Sequence, residues 1–124
     1  MTGDDFREIA LTLDGVIEKA HMNHPDFRVN GRIFASLLSD ERRAGLRLSP
    51  EEQRELVRQH PTAFQPASGA WGRQGWTIVD LAKAPAAVVR SALILAYAGI
   101  SATARTRRST RSRVASGRGR TRRG

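Results

Sequence analysis

Arginine is the residue with the most chemistry to offer in this chain. Arg105, Arg107, Arg108, Arg111, Arg113, Arg118, Arg120, Arg122 and Arg123 fall within the last 24 residues, which contain no acid. A guanidinium pairs bidentately with phosphate, and each neutralised phosphate releases counterions. If all of these arginines engaged duplex DNA, log K against log salt would have a slope of about −8. The segment has no aromatic residue, so it offers phosphate contact without base stacking or sequence readout. It also lacks apolar anchors, so no membrane partner is expected.

The rest of the chain is electrostatically different. Residues 1–100 carry 12 Lys/Arg and 12 Asp/Glu, so the formal charge of +9 belongs entirely to the end of the chain. Two units are expected: a neutral globular domain over residues 1–100 and a disordered Arg-rich tail over residues 101–124. A domain of this size can bury an ordinary core without staples.

Other chemistries find little to work with. The absence of Cys excludes disulfides, thiolate metal ligands and thiol nucleophiles. Ser36, Ser39 and Ser68 have no recognisable His and carboxylate partners. His21 and His24 are close in sequence, but Pro25 constrains them and His60 is remote, so transition-metal spacing is lacking. Asp4, Asp5 and Glu8 are interrupted by Arg7 and make no dense acidic ridge. Gly69, Gly72 and Gly75 precede a strand, whereas a dinucleotide fingerprint joins strand to helix; a P-loop ending is also missing. A non-enzymatic protein without cofactor or metal is expected.

Periodicity identifies the elements that must position any binding surface. Phe6, Ile9, Ala10 and Leu13 recur at helical spacing, predicting a helix over residues 5–13, capped by Asp4 and stopped by Asp14-Gly15. Strands are expected over residues 16–22, 26–29 and 32–38. Asn30-Gly31 favours positive φ at both positions and signals a two-residue hairpin. Residues 39–42 read as a second turn, and Ala44, Leu46 and Leu48 then alternate with polar or small neighbours.

Ser49-Pro50-Glu51-Glu52 predicts a helix start with Ser49 as cap, Pro50 in the first turn and Glu52 completing a capping box. That helix should run to residue 59, followed by a loop through Pro66, a strand over residues 76–81 and a last helix over residues 85–98 that ends at Gly99. The fold class is α+β, an antiparallel sheet with helices packed on one face. The N-terminus lacks a secretory signal pattern, and the apolar stretch at residues 86–100 is too short to span a bilayer, so a soluble, cytoplasmic protein is expected.

Two segments carry a family resemblance. One is His24-Pro25-Asp26-Phe27-Arg28-Val29 followed by Gly31-Arg32-Ile33-Phe34-Ala35; the other is Gly69-Ala70-Trp71-Gly72-Arg73-Gln74-Gly75-Trp76-Thr77. With Leu13-Asp14-Gly15-Val16 and Ser49-Pro50-Glu51-Glu52-Gln53, they resemble the MmcQ/YjbR family over residues 4–98. The resemblance implies a small bacterial α+β domain likened to type III secretion chaperones and, more loosely, to frataxin-like folds. It also implies the DNA-binding, double-wing role commonly attached to the family. The tail lies outside it.

On the domain, alternation turns Phe27 and Val29 inward and Asp26, Arg28 and Asn30 outward. Arg28, Arg32 and Arg47 are therefore expected on one polar sheet surface, with the turns at Asn30-Gly31 and at residues 40–43 projecting as wings. Trp76 is expected in the core, and Trp71 is expected to pair with Arg73. The reading is a DNA-binding protein, with RNA as the alternative polymer. The tail supplies non-specific phosphate contacts, and Arg28, Arg32, Arg47 and Arg73 orient the domain. The alternative is a secretion-chaperone-like interaction module or homodimer, because the last helix is apolar almost all round.

Overall fold

A computed structural model describes residues 1–21, 24–38 and 40–115, and leaves the side chains of His21 and of residues 102–115 outside the description. Helix α1 (Gly3–Thr12) starts two residues before the expected position, and its cap is Thr2 rather than Asp4. The Thr2 hydroxyl accepts the Asp5 N–H at 3.1 Å while the Asp5 carboxylate accepts the Thr2 N–H at 2.9 Å. This reciprocal box satisfies two donors that the first turn would otherwise leave open. Asp4 instead pairs with Arg7 at 2.7 Å.

Strands β1 (Ile17–His21), β2 (His24–Val29), β3 (Arg32–Leu37) and β4 (Arg43–Arg47) form an antiparallel meander. Asn30 and Gly31 have φ of 55° and 76°, as a type I′ hairpin requires. In the β2–β3 ladder Phe27 pairs with Ala35 and Arg28 with Ile33, leaving Phe34 as an extra residue. That bulge explains how Phe34 and Ala35 can both be buried, which strict alternation forbids.

Helix α2 (Pro50–Gln59) begins as predicted, with the Ser49 hydroxyl accepting the Glu52 N–H at 3.0 Å and Glu52 returning the bond to the Ser49 N–H at 2.9 Å. The expected loop through Pro66 contains strand β5 (Phe64–Pro66), and helix α3 (Gly69–Arg73), for which no element was expected, follows it. Strand β6 (Trp76–Asp80) lies between β4 and β5, giving the order β1-β2-β3-β4-β6-β5.

Helix α4 (Ala86–Ala115) runs through Gly99, where the sequence predicts a stop. One helical glycine costs only about 1 kcal/mol relative to Ala, and Ile100 and Ser101 beyond it are buried. Burial along α4 is described as far as Ser101. Of the segment expected to be a disordered tail, the backbone to Ala115 is assigned to α4, and residues 116–124 lie outside the described residues.

Val89, Ala92, Leu93, Ala96 and Ile100 make one buried stripe on α4 that packs with Phe27, Phe34, Leu37, Ala44 and Leu46 of the sheet. Phe6 of α1 meets Phe27 edge to face at 6.0 Å. Tyr97 packs on Phe34 at 5.7 Å, and its hydroxyl donates to the Asp14 carbonyl at 2.7 Å, joining α4 to the exit of α1. Helices α1 and α4 therefore cover one face of the sheet. Ile94 and Leu95 remain exposed on α4. Among the described residues, no helix is long and apolar enough to cross a membrane.

Candidate functional site

The other face of the sheet is open and holds a depression of about 640 Å³. Phe27, Leu46 and Thr77 are buried in the core, so their neighbours Asp26, Arg28, Arg47 and Trp76 point to this opposite face. Arg32 joins from the start of β3, and Trp71 and Gln74 close the wall from α3 and its end.

Arg28 and Arg47 thus share the surface expected for them, whereas Arg32 stands opposite the buried Val29 in the register and lines the depression from the hairpin end; the three are not equivalent. Asp26, expected to face water, is 3% exposed. A buried carboxylate needs a partner. Arg28, two positions along the same strand, supplies it: its Nε and Nη2 donate to Oδ1 and Oδ2 of Asp26 at 2.8 and 3.1 Å. This hydrogen-bonded pairing holds the Arg28 guanidinium above its ordinary pKa. Arg28 is therefore a neutralised strut. The side chains of Arg32 and Arg47 make no ion pair or hydrogen bond among the described residues, so they are the two available cations of this face.

Arg73 does not join them. It lies exposed on α3, outside the wall of the depression. Residues 69–73 are helical, and residues two apart on a helix do not share a face, so the expected pairing of Trp71 with Arg73 is not formed. Trp71 instead meets Trp76 edge to face, with ring centroids 6.3 Å apart. Trp71 is 63% exposed, whereas Trp76 is half-buried rather than a core residue.

Backbone fit explains the glycines of this segment. A Cβ at Gly72 would lie 1.8 Å from the Ala67 carbonyl oxygen, and one at Gly75 would lie 1.8 Å from that of Leu48. Gly75 also has φ +114°. These contacts lock α3 and the start of β6 onto neighbouring chain. Gln53 of α2 completes the lock, its buried amide donating toward the Gly72 carbonyl, the Trp76 carbonyl and the Thr77 hydroxyl at 3.0, 3.0 and 3.1 Å. Trp76 then lies over Gly45 of β4, where an added Cβ would be 3.8 Å from its ring.

The two expected wings are separated by the meander itself. Successive turns of an antiparallel meander lie at opposite ends of the sheet, so Asn30-Gly31 and residues 40–43 cannot project together. The second turn is also tied down. The Arg42 carbonyl accepts the Leu81 N–H at 2.9 Å, and a Cβ on Gly3 would come 2.8 Å from the Glu41 carbonyl oxygen. The Asp40 carboxylate caps this turn through the N–H groups of Arg42 and Arg43 and binds Arg43 Nε at 3.1 Å.

The side chains of Arg105, Arg107, Arg108, Arg111 and Arg113 and all of Arg118, Arg120, Arg122 and Arg123 lie outside the described residues. Among the described residues no cluster of three or more His, Cys, Asp or Glu is arranged to hold a metal ion.

A single antiparallel sheet with helices on one face and a cationic, aromatic depression on the other defines a small α+β domain. The YjbR family model matches residues 11–98, and the chain belongs to that family. It is similar to the crystal structure of Deinococcus radiodurans protein DR2400, which carries a DUF419 domain, with 25% identity and a TM-score of 0.70 over 81% of this chain and 78% of that one. Comparison with curated proteins gives no match.

Proposed function

We propose that this protein binds nucleic acid by holding phosphates against the open face of its sheet, with the Arg-rich end of the chain adding sequence-tolerant contacts. The observation that carries this reading is the placement of Arg32 and Arg47, two guanidiniums without ion-pair partners among the described residues, in one open depression. A free arginine beside open volume is suited to bidentate phosphate binding. The charge of +9 concentrated after residue 100 supplies long-range attraction for a polyanion. The role is binding and not catalysis, with DNA or RNA as the polymer.

The test is a salt series with random-sequence nucleic acid, comparing the full chain with its R32Q/R47Q variant. Loss of both contacts should reduce the magnitude of the salt slope by about 1.5–2. An unchanged slope and affinity would remove the sheet face from the reading. The same series on a chain with its nine tail arginines changed to Gln measures the tail's share.

A second reading rests on Ile94 and Leu95, 44% and 39% exposed on α4. Under it the chain self-associates through this helix. Sedimentation over a concentration range decides: a monomer throughout excludes it.

A further inference from the structure

We infer that the depression receives an unpaired base, so that the preferred polymer is single-stranded. This rests on the nucleic-acid reading above and specifies what the site takes. Trp71 is 63% exposed at the wall of the depression and braced from behind by Trp76 at 6.3 Å. Exposing an indole to water is unfavourable unless something covers it. Trp76 is itself positioned by Gly45 beneath its ring and by the Gln53 amide on its carbonyl, so the backing for Trp71 is in place before any ligand arrives.

Arg47 is the direct cross-strand partner of Trp76, which puts a cation on the same face and next to the aromatic pair. A ring surface beside a guanidinium is the arrangement that stacks a base and holds its phosphate. The volume, about 640 Å³, lies in the range of small-ligand sites and suits one or two nucleotides. A duplex hides the faces of its bases, and the two turns that would have to enter its grooves lie at opposite ends of the sheet. Only an unstacked base can reach Trp71.

The experiment uses the full chain and three probes: oligo-dT, oligo-U and a DNA duplex, at equal phosphate concentration and fixed salt. Trp fluorescence and competition binding are read together. Both single strands should quench the fluorescence and bind about tenfold tighter than the duplex. Trp71→Ala should lower single-strand affinity about tenfold without changing the salt slope, and Trp71→Phe should restore much of it. Trp71 is exposed, so its truncation leaves the core intact. Equal binding of all probes with Trp71→Ala silent would overturn this inference, while a reduced slope in R32Q/R47Q would leave the phosphate reading standing. If R32Q/R47Q is also silent, both fail.

Discussion

Arg47 and Trp76 stand directly opposite each other on neighbouring antiparallel strands, a cation and an indole sharing the face of the sheet that holds the depression. Several buried residues hold this pair in place, and their effect on stability can be tested separately from binding.

Gly45 is the seat of the Trp76 ring. A Cβ there would lie 3.0 Å from Ser36 Oγ and 3.8 Å from the indole, so the branched methyls of Gly45→Val would have to displace the ring. The variant should be less stable by about 1–3 kcal/mol and should show red-shifted Trp emission. Denaturant unfolding monitored by fluorescence checks both, and an unshifted spectrum would show that the ring does not depend on Gly45.

Gln53 ties α2 to the Trp-bearing segment. In Gln53→Leu the Gly72 and Trp76 carbonyls and the Thr77 hydroxyl lose this donor at a buried site. The expected loss is about 1–3 kcal/mol. Because the same bonds fix Trp76, the variant should also weaken nucleic-acid binding at temperatures where it remains folded. Retained stability in a urea titration would contradict the role assigned to the amide.

Gly75 admits no side chain. Gly75→Ala meets both the Leu48 carbonyl oxygen, 1.8 Å from the new Cβ, and an unfavourable φ of +114°. The variant should lose about 3 kcal/mol or more. Gly31→Ala, where a Cβ meets nothing within 4 Å, is the milder control at positive φ. Similar melting temperatures for the two variants would refute the close-approach argument.

The pH dependence follows from exposed carboxylates. Hydrogen bonds formed on folding hold Asp5, Asp40 and Glu55 below their ordinary values: first the Thr2 N–H on Asp5, the Arg42 N–H on Asp40 and the Arg58 guanidinium on Glu55. A carboxyl with a depressed folded pKa binds its proton less readily in the folded state. Its contribution is complete above the unfolded pKa and is lost as pH falls through the folded one. Melting temperature should therefore hold through weakly acidic pH and fall below about pH 4. The triple variant Asp5→Asn, Asp40→Asn, Glu55→Gln should melt lower at neutral pH and decline less steeply in acid. An identical acid slope would show that these groups do not govern it.

Local chemistry was legible because its determinants are neighbours in sequence. Ser49, Pro50 and Glu52 specify the start of α2, and Asn30-Gly31 specifies a hairpin with positive φ, whatever the rest of the chain does. Alternation likewise placed Phe27, Ala44, Leu46 and Leu48 inside and put Arg28 and Arg47 on the shared surface, but it misassigned Arg32, whose cross-strand partner is the buried Val29. The early cap at Thr2 was missed because Asp4 and Asp5 are both acceptable first-turn residues, and only the observed bonds choose between caps.

The character of the site needed the tertiary structure. Strand alternation could not tell that Asp26 is buried and consumes Arg28, because that depends on what covers β2. Nor could it show that Arg73 leaves the group when residues 69–73 coil into a helix held by Gln53 and by close backbone approach. The sequence alone determined a neutral α+β domain followed by a strongly basic segment, since both follow from composition and local periodicity. Long-range register decided the rest. It paired Arg47 with Trp76, left Arg32 and Arg47 without ion-pair partners among the described residues, and sent the two hairpin turns to opposite ends, because neighbours across a sheet are chosen by packing and not by distance along the chain.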